Sequence, residues 1–413
     1  VTKEPERPEA STAPTTEAEP APAPGDQPPP RAFRRHLGVV ISTVGLVYLA
    51  VALTIPTLPI QVTSQLHGST SDVGWVMGSY AITAVLARPV FGALLIRIGA
   101  RPIVAGGALV VALATLGYLA APNVAILITC RLILGIGLGG VLAAATIWMV
   151  SLVPPSKQGW ALGLVGTVNY LVLAVGAPIG EAMAEATRPT VVGLAAGIFP
   201  LLSLLLLFTV PDHRQPQEDR TEEHRSGPRT SATRAAVLPG VSLTMAAFGY
   251  AAVISFSAVA LAHHGVADGA LVVTAYAATM VVIRVAGARS PWNFTSPQGL
   301  IAIFLAEAVG IFLIGTSDSL LSAVVGGVLV GAGMSQVYPA LGLLVMRSVD
   351  AQRKGQAVAT YGAFMNIGIS VGNFALGYVA NTAGYSAMFV TATATILCGL
   401  VVAVLAATRR EEG

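Results

Sequence analysis

From residue 37 onward the sequence is a regular succession of apolar runs. They cover 38–62, 72–96, 102–121, 124–151, 158–184 and 190–210, then, after a polar stretch, 237–262, 268–288, 298–316, 319–347, 355–380 and 385–407. A helix needs about 20 apolar residues to cross the hydrocarbon core of a bilayer. Backbone polar groups in lipid must be satisfied within the spanning element, and runs of this length do so as helices. The pattern predicts twelve transmembrane helices. Charge argues the same way. Only 10% of residues are charged and 54% are apolar, with a mean hydropathy of +0.74. A soluble domain carries roughly 25% charge. A chain this poor in charge cannot cover a soluble surface. That excludes a cytosolic enzyme, a nucleic-acid binder and a disordered scaffold.

Topology follows from the basic residues. With the N-terminus cytoplasmic, 19 of the 23 Lys and Arg fall on the cytoplasmic side, only Arg188 falls opposite, and Arg88, Arg131 and Arg284 lie within helices. The positive-inside rule therefore predicts both termini cytoplasmic, and moving the count by one helix scrambles the asymmetry. Residues 1–36, rich in Pro, Glu and Thr, are expected to be a disordered cytoplasmic tail and not a secretory signal. The domain plan is an N-terminal bundle over 37–210, a solvated cytoplasmic linker over 211–236, a C-terminal bundle over 237–407 and a short tail over 408–413. Arg outnumbers Lys 20 to 3 amid abundant Ala, Gly and Val, a composition of high-GC bacteria, so the expected location is a bacterial plasma membrane. Cys130 and Cys398 both lie inside apolar runs and provide neither a disulfide framework nor a zinc spacing.

The halves repeat. A constant shift of 196 residues places Tyr80, Thr83 and Arg88 on Tyr276, Thr279 and Arg284, and Gly135, Gly137 and Gly176 on Gly331, Gly333 and Gly372. Six-helix halves in the same orientation are parallel repeats about an axis along the membrane normal. The second run ends in Gly92-Ala-Leu-Leu-Ile-Arg97-Ile-Gly99-Ala-Arg101, and the fourth holds Arg131-Leu-Ile-Leu-Gly135-Ile-Gly137. The fifth ends Gly176-Ala-Pro178-Ile-Gly180-Glu181.

With these motifs the chain resembles the major facilitator superfamily over residues 37–407. Gly92, Leu94, Arg97, Gly99 and Arg101 match the superfamily's gating-loop signature, while Ile96 stands where that signature has Asp. The fourth-run pattern and the shortened fifth-run motif are similar to the proton-coupled efflux branch. The resemblance implies an all-α integral membrane protein of two six-helix bundles, with helices three, six, nine and twelve outside the central cavity.

An ionisable side chain at mid-membrane costs about 2.5–3.5 kcal/mol on insertion scales unless paired or wet. Arg88, Arg131, Glu181, Arg284 and Glu307 are therefore the candidates for substrate binding or proton coupling. Glu307, the one acid near a midplane, can bind a proton or a cationic group; the alternative is a protonated or lipid-peripheral residue. Arg88 and Arg284 are repeat mates that either face the cavity or snorkel to the inner interface. Arg131 shares a helical face with Gly135 and Gly139. The resemblance assigns it to proton coupling, and the alternative is a clamp to Glu181 or to a backbone carbonyl. Candidate cavity-lining residues are Tyr80, Asn169, Tyr276, Ser335, Gln336, Tyr338, Asn366, Ser370 and Asn373. The last three form one polar stripe with Gly362 and Gly377 at helical spacing.

No phosphate loop, metal cluster or catalytic acid–base set is legible, so no cofactor, no metal and no enzymatic activity are expected. The implied function is a secondary active transporter that exports a small organic molecule, such as a drug or natural product, in exchange for protons by alternating access. A proton-coupled importer of a sugar or organic acid and a non-transporting membrane sensor are the alternatives. The expected partners are that small molecule, protons and the lipid bilayer, with no nucleic acid and a monomeric working unit.

Overall fold

The computed structural model describes residues 31–153, 158–187, 189–209, 230–287, 294–350 and 354–408. The N-terminal half contains α1 (Arg31–Thr54, extended by Thr57–Ile60 and a π turn over Gln61–Gln65), α2 (Thr70–Ile98), α3 (Ala100–Gly117), α4 (Val124–Leu152), α5 (Gln158–Ala186) and α6 (Pro189–Leu207). The C-terminal half contains α7 (Thr230–Ala251, extended by a π turn over Ala252–Phe256 and by Ser257–His263), α8 (Ala270–Gly287), α9 (Pro297–Gly315), α10 (Leu320–Arg347), α11 (354–383) and α12 (385–408). Nine helices among the described residues are long and apolar enough to span a membrane, and two shorter apolar helices cover Val191–Leu207 and Ala270–Ala286. One of the nine, Thr360–Thr408, is two crossings joined at Gly384, which brings the number of crossings to the expected twelve.

Local chemistry sets the helix ends. The Ser69 hydroxyl accepts from the Asp72 amide at 3.2 Å, and the Asp72 carboxylate accepts from the Ser69 amide at 2.8 Å, a capping box that starts α2. The Asn123 side chain caps α4 through the Ile126 amide at 3.0 Å. Gly99 (φ 84°) and Gly384 (φ 85°) reverse the chain between consecutive helices, in a backbone region that residues with a Cβ rarely enter. α1 begins at Arg31, inside the expected tail, and α7 begins at Thr230, inside the expected linker. The rest of that tail and linker lies outside the described residues.

The repeat is visible in the packing. A Cβ built on Gly135 in α4 would fall on the Tyr80 carbonyl of α2, and one built on Gly331 in α10 would fall on the Tyr276 carbonyl of α8. Gly137 likewise meets the Gly107 carbonyl where its mate Gly333 meets that of Ile303. Each pair keeps the 196-residue offset, so the two bundles share one packing scheme. Large apolar side chains such as Leu86, Leu205 and Leu321 stay exposed on the outside, where the surrounding solvent is lipid.

The bundles meet through α2 with α11 and α5 with α8. Their seam is tight at the end remote from the chain's termini. There Ser370 Oγ donates to the Gly78 carbonyl at 3.0 Å, Ser71 Oγ donates to that of Gly377 at 3.4 Å, and Trp75 stacks on Phe374 with ring centroids 4.2 Å apart. At the same end the Ala270 amide donates to Glu181 Oε1 at 3.3 Å. A small apolar floor of Ala81, Ala247 and Ile369 lies further in, and Tyr80 and Tyr250 pack against it.

Candidate functional site

Beneath that seam the helices converge on tyrosine. Tyr48 of α1, Tyr80 of α2, Tyr170 of α5, Tyr250 of α7, Tyr276 of α8 and Tyr338 of α10 are linked by mutual electrostatic contact. The Tyr250 hydroxyl meets that of Tyr80, which joins the two bundles. The rings of Tyr250 and Tyr276 stand edge to face at 6.2 Å. Tyr48, Tyr80, Tyr170 and Tyr250 are half-buried and Tyr338 is 37% exposed. A membrane interior has no water to satisfy phenol hydroxyls, so half-exposed tyrosines at this depth mark a wetted or ligand-holding space.

The two repeat-mate arginines border this cluster. Arg284 Cζ lies 5.4 Å from the Tyr170 ring centroid, a cation–π contact from one bundle to the other, and its Nη2 donates to the Ser335 carbonyl at 3.4 Å. Arg88 is within electrostatic range of Tyr48 and Tyr338. A Cβ built on Gly362 in α11 would lie 3.9 Å from Arg88 Nη1 and 3.3 Å from the Tyr338 hydroxyl. Both arginines are half-buried and directed across the gap between bundles.

Arg131 is a clamp. It is 1% exposed, its Nε and Nη2 donate to the Val76 and Met77 carbonyls at 3.0 and 3.2 Å, and its Cζ sits 4.6 Å from the Tyr80 ring centroid. Of the two expected clamps, the one to backbone carbonyls forms, while Glu181 accepts from the Ala270 amide. The repeat mate of Arg131 is Gly327, whose added Cβ would meet the Val272 carbonyl at 2.7 Å. One bundle thus fills this notch with a guanidinium and the other closes it backbone to backbone.

Glu307 lies inside the C-terminal bundle and not at its lipid-facing periphery. It is 0% exposed, and among the described residues neither carboxyl oxygen has a hydrogen-bond partner. Gly249 of α7 makes room for Oε1, Gly333 of α10 abuts the Glu307 backbone, and Ile396 of α12 is close by. Tyr276, whose hydroxyl is also unpartnered among the described residues, is the cluster member within electrostatic range of Glu307.

The remaining candidates scatter. Ser335 Oγ donates to the Met280 carbonyl at 3.3 Å and Gln336 Nε2 to that of Ile283 at 3.3 Å, so both tie α10 to α8. Ser370 and Asn373 are buried in the α2–α11 seam in this structure and do not face an open cavity. Asn366 is half-buried and donates to the Gly362 carbonyl at 3.4 Å, and Asn169 is half-buried on α5 next to Tyr170. In the gating-loop motif, Gly99 makes the turn, Arg97 is exposed, and Arg101 Cζ sits 5.6 Å from the Phe208 ring centroid at the end of α6. A Cβ built on Gly92 meets nothing within 4 Å. Among the described residues no group of His, Cys, Asp and Glu could hold a metal.

Tyr48, Tyr170, Tyr250 and the neighbouring Tyr361 escape a reading by repeat, because their mates are not tyrosine. The signal available for them is the hydroxyl itself, an expensive group to place in a lipid-embedded helix.

The chain's similarities match this geometry. The family model described as Major Facilitator Superfamily matches residues 40–293. The MFS-type transporter YhhS of Escherichia coli is 26% identical over 366 residues, covering 86% of this chain and 88% of that protein. An MFS-type transporter of Burkholderia mallei is 25% identical over 385 residues, covering 90% and 93%. The crystal structure of the human organic anion transporter MFSD10 superposes with a TM-score of 0.68 at 20% identity, covering 91% of this chain and all of that one. A bacterial homologue of the human lysosomal transporter Spinster, in an inward-facing and unoccupied conformation, superposes with a TM-score of 0.70 at 14% identity, covering 92% and 96%. With its paired six-helix bundles, its polar cluster between them and a family model that spans more than half of it, the chain belongs to the Major Facilitator Superfamily and is a multi-pass membrane transporter of small molecules, not an enzyme.

Proposed function

We propose that this transporter works in a bacterial plasma membrane with both termini cytoplasmic, and that it exports a small organic molecule in exchange for protons. The basic residues carry the orientation, since cytoplasmic loops retain Lys and Arg. In that orientation the seam through Ser370, Ser71 and Glu181 is the extracellular gate, closed here, and the tyrosine cluster is loaded from the cytoplasm. Alternating access consists of opening that seam while the opposite ends of the bundles close.

The observation that carries the reading is the cluster itself. Half-buried tyrosines and two arginines from both bundles meet below a gate made of a few hydrogen bonds and one aromatic stack. Glu307 is the proton-exchanging group in this reading. It is an acid in a glycine-lined pocket, adjacent to the cluster through Tyr276, with no partner to fix its charge state. An ion gradient is the energy source, because the chain has no nucleotide-binding loop within the helices.

The test compares metabolites inside and outside host cells with and without the protein. Export predicts a compound that builds up inside the deletion strain, and a protonophore should reproduce that accumulation in the wild type. A compound left unconsumed in the medium of the deletion strain refutes the direction. Insensitivity to the protonophore refutes the coupling.

A further inference from the structure

We infer that the ligand of the tyrosine cluster is an organic anion with a flat apolar body, its carboxylate or comparable anionic group held between Arg88 and Arg284. The inference rests on the transport reading above and adds the substrate class.

The first argument is uncompensated charge. Among the described residues, neither Arg88 nor Arg284 has a carboxylate within ion-pair distance. Glu307, within electrostatic range of Tyr276, is turned toward Gly249 inside the C-terminal bundle. A guanidinium cannot shed its charge. In the cleft between the bundles both charges stand without a protein counter-charge among the described residues. An anion supplies one. A cationic ligand adds to the uncompensated charge, and a neutral one leaves it in place.

The second argument is direction. A snorkelling arginine extends along its own helix to the headgroups. These two do something else. Arg88, on α2, points at the Gly362 position of α11, and Arg284, on α8, lies over the Tyr170 ring of α5. Each therefore reaches from its own bundle to the other. Tyr338, 37% exposed, is within electrostatic range of both. The anionic group is therefore placed beside Tyr338, the side chain whose surroundings include both guanidinium groups.

The third argument is the lining. Tyr170 turns its ring face to Arg284, Tyr48 lies within electrostatic range of Arg88, and the hydroxyls of Tyr80 and Tyr250 meet beside Tyr170. That surface suits a planar apolar body that ends in an anionic group. The arrangement also couples binding to motion. Because the arginines belong to different bundles, an anion that bridges them favours the bundle arrangement in which both reach it, a differential affinity of the kind a conformational change requires.

The test uses the purified full-length protein in lipid nanodiscs and three aromatic acids of increasing size: benzoate, naphthoate and biphenyl carboxylate. Each is paired with its neutral amide and with a primary amine of the same shape. Binding is read by titration calorimetry and by thermal shift. At least one acid should bind, with its amide and amine at least about ten-fold weaker. Arg88→Gln and Arg284→Gln should each weaken the acid by about 10- to 100-fold, the value of losing a charge-assisted hydrogen bond. If one variant does not run as a monodisperse peak, the other variant and the acid–amide–amine ranking in the wild type decide. Binding of amines or amides in preference to acids overturns the proposal, as does acid binding that survives both arginine changes, or no binding by any acid. Flux in proteoliposomes separates this from the transport reading. Arginine-dependent acid binding without gradient-driven acid movement keeps the anion site and refutes the transport cycle. Gradient-driven movement of the amines keeps the cycle and refutes the anion site.

Discussion

Gly135→Ala and Gly106→Ala make the same chemical change on neighbouring helices and should have opposite effects. A Cβ at Gly135 would coincide with the Tyr80 carbonyl oxygen and the Thr83 hydroxyl and lie 2.8 Å from the Tyr80 carbonyl carbon. Ordinary carbon contacts begin near 3.5 Å. The obstacle is backbone, so α2 must retreat from α4. Retreat stretches the Thr83 Oγ1 bond to the Leu132 carbonyl, now 2.7 Å, and the Arg131 Nε bond to the Val76 carbonyl, now 3.0 Å. Overpacking costs about 1–3 kcal/mol, and one weakened hydrogen bond adds about 1 kcal/mol. The better helix propensity of Ala returns up to about 1 kcal/mol. The net expectation is a loss of about 1–3 kcal/mol. At Gly106 nothing lies within 4 Å of the added Cβ, so only the propensity gain remains and stability should hold or rise slightly. The assay is thermal unfolding of the two variants in one detergent, followed by the monodisperse peak on size exclusion. Gly331→Ala, the repeat mate, should reproduce the Gly135→Ala loss, because its Cβ would fall on the Tyr276 carbonyl and 3.0 Å from Thr279 Cβ. Equal melting points for the Gly135→Ala and Gly106→Ala variants would refute the tight α2–α4 seam.

Three further outcomes are expected. Glu307→Gln should abolish proton-driven accumulation in vesicles while leaving gradient-free substrate exchange, since the change is isosteric and no hydrogen bond to either oxygen is lost; accumulation at the wild-type level removes Glu307 from coupling. Arg131→Gln should lower stability by about 1.5–3 kcal/mol, because it loses charged donors to two carbonyls and the contact with the Tyr80 ring; an unchanged melting point contradicts the clamp. With Cys130 and Cys398 replaced, Trp75→Cys and Phe374→Cys joined by a short bifunctional reagent should arrest flux by holding the seam shut, because the stacked rings they replace bridge the bundles; transport at the normal rate after quantitative cross-linking denies that this seam is a gate.

Much of the fold is legible in the sequence because lipid leaves few alternatives. Run length sets the crossings, and the 196-residue offset sets the two-bundle plan, which recurs in the packing of Gly135 and Gly331. The shorter apolar helices, Val191–Leu207 and Ala270–Ala286, are recognisable from composition as well. Side-chain roles are less legible. Arg131 and Glu181 look like partners by depth, yet each binds backbone on a different helix. Ser370 and Asn373 share a face with Asn366, but that face runs from the cluster into the seam. A stripe read from helical spacing gives direction around an axis. It does not say what the neighbouring helix offers at each level.

The sequence alone determined twelve crossings, the repeat, the distribution of basic residues and the short roll of ionisable groups in the membrane. Those are properties of hydropathy and period, and every residue states its own. Tertiary structure decided three other matters. It turned Glu307 of α9 into its bundle and away from lipid, it made Arg131 a clamp, and it gathered tyrosines from six helices into one cluster bordered by Arg88 and Arg284. The physical reason is that lipid imposes helices but not their rotation. Helix faces are chosen by close approach at glycines such as Gly135, Gly249 and Gly333, and only the packed bundle reveals which side chains those approaches bring together.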